Sequence, residues 1–167
     1  MSESLKNLKS AFAGESQANR RYLAFAKKAD EEGLTQIARL FRATAKAETV
    51  HALNHLRIAG EIGMTVSNLK EAISGETFEY TKMYPQFLEV AKNERNKQAE
   101  WSFNVAKEVE EIHAELFQKT LHALKNNEPI SSGDYYVCKV CGHTVKNIAP
   151  EKCPICGSPR TQYLKVD

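Results

Sequence analysis

Two short stretches set a glutamate and a histidine three residues apart. AETVHAL at 47–53 holds Glu48 and His51, and VEEIHA at 109–114 holds Glu110 and His113. In a helix this spacing puts both side chains on one face, one turn apart, so a carboxylate oxygen and an imidazole nitrogen can reach one point. Hard oxygen ligands with imidazole suit iron or manganese. A third stretch, CKVCGHTVKNIAPEKCPICG at 138–157, carries all four cysteines of the chain in two Cys-x-x-Cys-Gly knuckles, Cys138 with Cys141 and Cys153 with Cys156, eleven residues apart. The two-residue spacer lets two thiolates bind one metal, and glycine permits the tight turn that aims backbone N–H groups at sulfur. Taken alone, the module reads equally well as an Fe(Cys)4 electron-transfer centre and as structural zinc. A redox di-metal site upstream favours iron, with zinc as a possible substitute.

The elements that must position these groups are helical. Residues 3 to about 125 are rich in Ala, Glu, Lys, Leu and Arg, and predict four amphipathic helices: 3–31, stopped by Gly33; 34–60, stopped by Gly60 and Gly63; one starting between Ser67 and Gly75 and ending near 95; and 97–125, ended by NNEP. Pro85 should kink the third helix or mark a restart. The first two helices form one antiparallel hairpin and the last two another, joined by a long connection over about 61–75 that can carry a short helical piece. Residues 126–134 (NNEPISSGD) read as a polar linker. Residues 135–167 form a separate module, too small to fold without its metal. The domains expected are thus a four-helix bundle over 1–125, the linker, and the cysteine module over 135–167.

Counting the apolar stripe in steps of three and four brings out the unusual feature. The first helix gives Leu5, Leu8, Phe12, Glu15, Asn19, Tyr22, Ala26 and Ala29; the second Ile37, Phe41, Thr44, Glu48, His51, His55, Ile58 and Ile62. The third gives Ala72, Glu76, Glu79, Met83, Phe87 and Val90; the fourth Ala99, Phe103, Ala106, Glu110, His113, Phe117, Thr120 and Leu124. Each stripe carries a glutamate near mid-helix. The halves also repeat: Gly14-Glu15 recurs as Gly75-Glu76, and Glu48/His51 as Glu110/His113. Carboxylates buried together without a cation repel and lose hydration. One glutamate from each of two helices, with Glu-x-x-His from the other two, is the pattern of di-iron carboxylate bundles.

Glu79 breaks the symmetry, since its counterpart is Ala18. A fifth carboxylate over-neutralises two ferrous ions but not two ferric ones, so it favours the oxidised state. His55 lies on the same line but pairs with Phe117 in the repeat, which makes a core or supporting role the expectation. Tyr22 and Tyr84 stand two turns from Glu15 and Glu76, as hydrogen-bond donors to ligand carboxylates or as core aromatics. His122 and His143 are expected in solvent, and Trp101 in packing.

Composition narrows the classes. The 23 Lys+Arg against 21 Asp+Glu give no basic patch for nucleic acid. No run approaches the ~18 apolar residues of a membrane span, and residues 1–10 lack the apolar core of a signal peptide. A cytoplasmic location is expected, where clustered cysteines indicate metal rather than disulfides. No Gly-x-Gly-x-x-Gly fingerprint is present, so the chain is not expected to bind a nicotinamide itself.

The chain resembles the rubrerythrin family over nearly all its length, through FAGESQANRRY (12–22), AETVHA (47–52), GETFEYTKMYP (75–85), EEIHA (110–114) and CKVCG…CPICG. The resemblance implies a ferritin-like four-helix bundle followed by a small metal-stapled rubredoxin-like β/loop domain. It implies two irons in the bundle, oxo- or hydroxo-bridged when oxidised, and one in the four-cysteine site. Glu48 and Glu110 would bridge, Glu15 would bind one iron, and Glu76 with His113 the other. The first iron would exchange His51 for Glu79 on oxidation. The implied activity is reduction of hydrogen peroxide to water in oxidative-stress defence, in a homodimer whose relatives in some cases exchange helix pairs. Electrons would come through the Fe(Cys)4 centre from a rubredoxin or an NAD(P)H-dependent reductase. The alternatives are a ferroxidase or iron-handling ferritin-like protein, and a non-enzymatic zinc-ribbon adaptor.

Overall fold

The structure, a computed structural model, describes residues 2–166. The chain divides into two compact units, 1–63 and 64–167.

The first unit is a helical hairpin of α1 (Glu3–Glu31) and α2 (Thr35–Ile58). Ser2 caps α1 by accepting a hydrogen bond from the Leu5 N–H, which satisfies one of the free amides at a helix start. Gly33 ends it at φ +76. The Gly33 N–H bonds the Asp30 carbonyl and the Leu34 N–H the Ala29 carbonyl, the double closure that an αL glycine makes possible. Gly60 ends α2 in the same way, with φ +77. The helices meet through small residues: Ala26 and Ala29 on α1, and Ala38, Ala45 and Ala52 at intervals of seven on α2, are buried. The Asn19 amide donates to the Ala45 carbonyl at 2.6 Å, and Arg42 pairs with Asp30 at 2.6 Å. Within this unit the larger residues of the anticipated stripe, Ile37, Ile58 and Ile62, are exposed. A stripe count picks out apolar side chains, whereas close helix approach selects small ones.

The second unit opens with α3 (Thr65–Phe78), a π-helical turn (Glu79–Met83) and α4 (Tyr84–Asn93), packed against α5 (Lys97–Lys125). Two expectations are corrected here. The connection after α2 is short, because α3 begins at Thr65, with the Asn68 N–H on the Met64 carbonyl. Gly75 lies inside α3 rather than at its start; nothing stands within 4 Å of where its Cβ would be. Pro85 sits at the first turn of α4, where its missing N–H leaves no gap. The Tyr84 N–H reaches back five residues to the Glu79 carbonyl, so the π turn absorbs the restart. Asn96 caps α5 through the Ala99 N–H.

The remainder is a three-stranded antiparallel sheet in the order β2-β1-β3, with β1 Tyr135–Cys138, β2 Thr144–Lys146 and β3 Tyr163–Val166. Its buried residues are Cys138, His143, Ala149 and Cys153. Among the described residues no helix is long and apolar enough to cross a membrane.

Candidate metal centres

Among the described residues, three groups bring ligand atoms within 4.8 Å of one another: Glu15, Glu48 and His51; Glu76, Glu110 and His113; and the four cysteines. The first lies in the α1–α2 unit, the other two in the second unit.

In the first group Glu48 Oε2 stands 2.9 Å from His51 Nδ1, and the His51 side chain is 55% exposed. In the second, Glu110 Oε2 stands 2.8 Å from His113 Nδ1 and Glu76 Oε2 3.9 Å from it. The Glu-x-x-His pairs match, Oε2 to Nδ1, as the sequence repeat anticipated, but their histidines are held differently. His113 Nε2 lies 2.9 Å from Thr144 Oγ1, and the Thr144 hydroxyl donates to the Gly142 carbonyl at 3.0 Å. With that hydroxyl proton committed, Thr144 accepts from the His113 Nε2–H. The His113 Nδ1 lone pair is then left facing a carboxylate oxygen, an arrangement that a cation must complete. Without metal a proton does so: the Glu110 hydrogen bond, against the effect of burial, raises the His113 pKa. Burial and the adjacent Glu110 hold Glu76 above the usual carboxylate range. Crowded oxygens with one directed imidazole nitrogen form a donor set that fits a hard or borderline divalent ion.

Glu79 lies outside the three-residue cluster yet feels it, since burial and Glu110 raise its pKa. Burial, and then the charges of Glu110, Glu79 and Glu76, raise the Tyr84 pKa. Its ring also packs on Phe87 and Phe103. Tyr22 lies in an aromatic group with Phe25 and Phe41. His55 is half-buried and belongs to neither group. His122 is exposed, 2.8 Å from the Asn126 amide. Trp101, expected in packing, is half exposed. A cavity of about 480 Å³ opens on Glu76 and His113, lined otherwise by Leu69, Leu116, Phe117 and Tyr135 with the hydroxyl residues Thr120 and Thr144.

The cysteine groups form matched knuckles. The Cys138 and Cys153 N–H groups bond the His143 and Ser158 carbonyls, and the Gly142 and Gly157 N–H groups bond the Cys138 and Cys153 carbonyls. Both glycines have positive φ. Cys138 Sγ lies 3.7 Å from Cys156 Sγ, and Cys141 Sγ 3.5 Å from Cys153 Sγ. Thiolates set tetrahedrally ~2.3 Å from one ion stand about 3.8 Å apart, so the separations fit one metal. All four cysteines are free.

The family description Rubrerythrin fits residues 6–121, and the description Rubrerythrin, rubredoxin-like domain fits residues 136–163. The chain belongs to the rubrerythrin family. Rubrerythrin-2 of Clostridium acetobutylicum is 39% identical over 170 residues, covering 93% of this chain and 92% of that protein. Nigerythrin of Nitratidesulfovibrio vulgaris is 39% identical over 173 residues, covering 95% and 84%. Among solved structures, nigerythrin in a partially reduced state matches with TM-score 0.59 and 34% identity, covering 99% of this chain and 88% of that one; fully reduced, all-ferrous nigerythrin matches equally. The fold class is therefore that of the rubrerythrins, with Glu/His clusters for a di-iron site and a four-cysteine rubredoxin-like site. The family assigns the chain to oxidoreductase-type proteins of oxidative-stress defence.

Sequence reasoning missed two residues beside these centres. Thr144, two positions after a knuckle glycine, carries no periodic signal. His143, expected in solvent, is buried at 7% exposure, because it lies at 2.6 Å from the Tyr163 hydroxyl inside the module.

Proposed function

We infer that this chain is a non-haem di-iron peroxidase that reduces hydrogen peroxide to water in the cytoplasm. The observation that carries the reading is the pairing of two like carboxylate–imidazole half-sites with a four-thiolate module hydrogen-bonded to one of them. In this reading residues 1–125 act as one bundle and 126–134 as a linker, and the half-sites Glu15/Glu48/His51 and Glu76/Glu110/His113 together hold one iron pair. Bound iron supplies the two electrons that, with two protons, divide hydrogen peroxide into two waters.

The residues have separable tasks. Glu15, Glu48, Glu76 and Glu110 would hold the iron pair. His113 is pinned by Thr144 and keeps its place, whereas His51 has no second partner among the described residues. His51 would thus be the less firmly held ligand, and Glu79 would supply the further carboxylate that favours the oxidised pair. Tyr84, kept protonated by burial and by the charges of Glu110, Glu79 and Glu76, is the proton donor we assign to its half-site. Tyr22 keeps the aromatic packing of the other half. The cysteine module returns electrons singly, drawing on a rubredoxin or an NAD(P)H-dependent reductase. A homodimer is the assembly we expect. The short connection before α3 removes the argument for helix exchange from a long loop, although short hinges also favour exchange.

Rapid mixing tests the reading. Anaerobically reduced protein should reoxidise at least about tenfold faster with peroxide than with dioxygen; the reverse order would favour a ferroxidase. A second expectation concerns Thr144. Thr144→Val should slow electron arrival at the carboxylate site by about tenfold, the scale of losing a partner to a ligand. Peroxide-driven oxidation of the reduced protein should slow on the same scale, because His113 loses the partner that holds it. Stopped-flow absorbance of the ferric-thiolate band separates the two steps.

A further inference from the structure

The two cysteine knuckles are built alike but meet different surroundings. In the first, Thr144 Oγ1 lies 2.9 Å from His113 Nε2 on α5, and a Cβ on Gly142 would stand 3.7 Å from Val109 Cγ1 on the same helix. This side of the module is turned onto the carboxylate half-site. In the second, Pro154 and Gly157 are exposed, and Ile155 and Cys156 are half-buried. The Lys152 side chain lies across Gly157, its Cε 3.5 Å from where a Cβ would stand. Lys139 and Val140, between the first pair of cysteines, are exposed as well. All four sulfurs lie within 4.8 Å of one another, so both knuckle tips surround a single ion position.

Charge sets these tips apart from the rest of the module. Residues 135–167 hold five Lys or Arg against the acids Glu151 and Asp167. Three of the five are engaged. Arg160 pairs with Glu151 at 2.9 Å and Lys165 with Asp134 at 2.9 Å, while Lys146 bonds the Ser131 carbonyl and hydroxyl. Lys139 and Lys152, each next in sequence to the first cysteine of a knuckle, meet no carboxylate among the described residues. Four thiolates around a ferric ion carry one net negative charge, so the balance around the centre stays positive. Exposed cations of this kind add little to folding, but they steer an oppositely charged molecule to the surface that carries them.

We propose that the exposed knuckle tips, Lys139 and Val140 with Lys152 to Gly157, are the docking face for an acidic one-electron carrier protein. The proposal rests on the reading of the module as the entry point for electrons. Its own content is the face and the charge of the partner. Apolar Val140, Pro154 and Ile155 give the contact, and the two lysines give the attraction. Gly157 has no side chain to hold a partner away from half-exposed Cys156. Entry here leaves the Gly142 and Thr144 side against α5, so donor and acceptor use different sides of the module. One electron leaves the carrier and reduces the ferric four-thiolate centre, and no covalent bond forms or breaks. A patch of this size suits the small, short-lived encounters of redox proteins, which bury under about 1,200 Å² in total.

The test is stopped-flow reduction of the ferric-thiolate band in the full-length iron-loaded protein, with a reduced rubredoxin of net negative charge as the probe. The parent's bimolecular rate should fall as salt rises, since screening weakens steering. Lys152→Glu and Lys139→Glu should each lower the low-salt rate about tenfold and flatten its salt dependence, and Lys152→Arg should keep both. Lys70→Glu, the same charge change on α3, should alter the rate less than twofold. Photoreduced 5-deazariboflavin, small and uncharged, should reduce every variant at the parent rate. Parent-like rates with rubredoxin in both knuckle variants, or an equal loss in Lys70→Glu, would overturn the proposal. Should the knuckle variants fail to hold iron, the unaltered zinc-loaded protein decides. Titration with rubredoxin should shift or broaden amide signals at 139–141 and 152–157, and perturbations confined to other residues would overturn the docking face. No peroxide enters these measurements, so failure of the peroxidase reading would leave their outcome unchanged.

Discussion

Glu110→Gln is expected to abolish peroxidase turnover while leaving the helices intact. Glu110 lies on α5 between Val109 and Ala114, both buried, but is itself only half-buried. Glutamine has the same size and good helix propensity, so α5 should persist and far-ultraviolet circular dichroism should not change. What is lost is the charge that meets His113 Nδ1 at 2.8 Å and lies beside Glu76. Removing mere partners of metal ligands already costs about 10–100-fold in affinity or activity. A ligand itself should cost more, so turnover is expected to fall by more than about a hundredfold, with iron retained in the cysteine module. Activity within a few-fold of the parent would remove Glu110 from the site. Glu79→Gln is the informative contrast: Glu79 stands outside the cluster, so that variant should keep its iron.

Cys153→Ser should separate the two halves of the reaction. The module's three strands have four, three and four residues, and its buried interior is little more than Cys138, His143, Ala149 and Cys153. So small an interior cannot offset the ordering of some thirty residues at about 1–2 kcal/mol of backbone entropy each. Structural metals in comparable modules contribute about 10–16 kcal/mol to folding. Loss of one thiolate should therefore unfold residues 135–166, visible as lost NMR dispersion and rapid proteolysis there, while 3–125 stays helical. Donor-driven turnover should fall to background. A single oxidation of chemically reduced protein by peroxide should persist, slowed about tenfold by the loss of Thr144 from His113. A variant that still turns over with its donor would mean that electrons enter by another route.

Much of this was legible in the residues. The ends of α1 and α5 were legible in their stops, Gly33 for one and the Asn-Asn-Glu-Pro run for the other, whereas the caps Ser2 and Asn96 emerged only in the structure. Glutamates and histidines at helical spacing gave both half-sites, because a helix fixes which side chains share a face. The knuckles likewise carry their geometry in a two-residue spacer and a glycine. The remainder depends on long-range contact or backbone irregularity. Gly75 looked like a helix start but is tolerated inside α3, since a glycine there costs only about 1 kcal/mol. The π turn at Glu79–Met83 has no sequence period of its own; Pro85 marked only its neighbourhood. Thr144 and the His143–Tyr163 pair draw their roles from partners 31 and 20 residues away in sequence, a separation no local pattern reports.

The measurement closest to the central claim is iron quantification with Mössbauer spectroscopy on anaerobically loaded, full-length protein. The account predicts three irons per chain: one in tetrahedral thiolate surroundings, and two in oxygen and nitrogen surroundings that couple magnetically on oxidation and are lost together in Glu48→Gln or Glu110→Gln. Iron confined to the cysteines, or half-sites that each keep an independent ion when the other's glutamate is replaced, would contradict it.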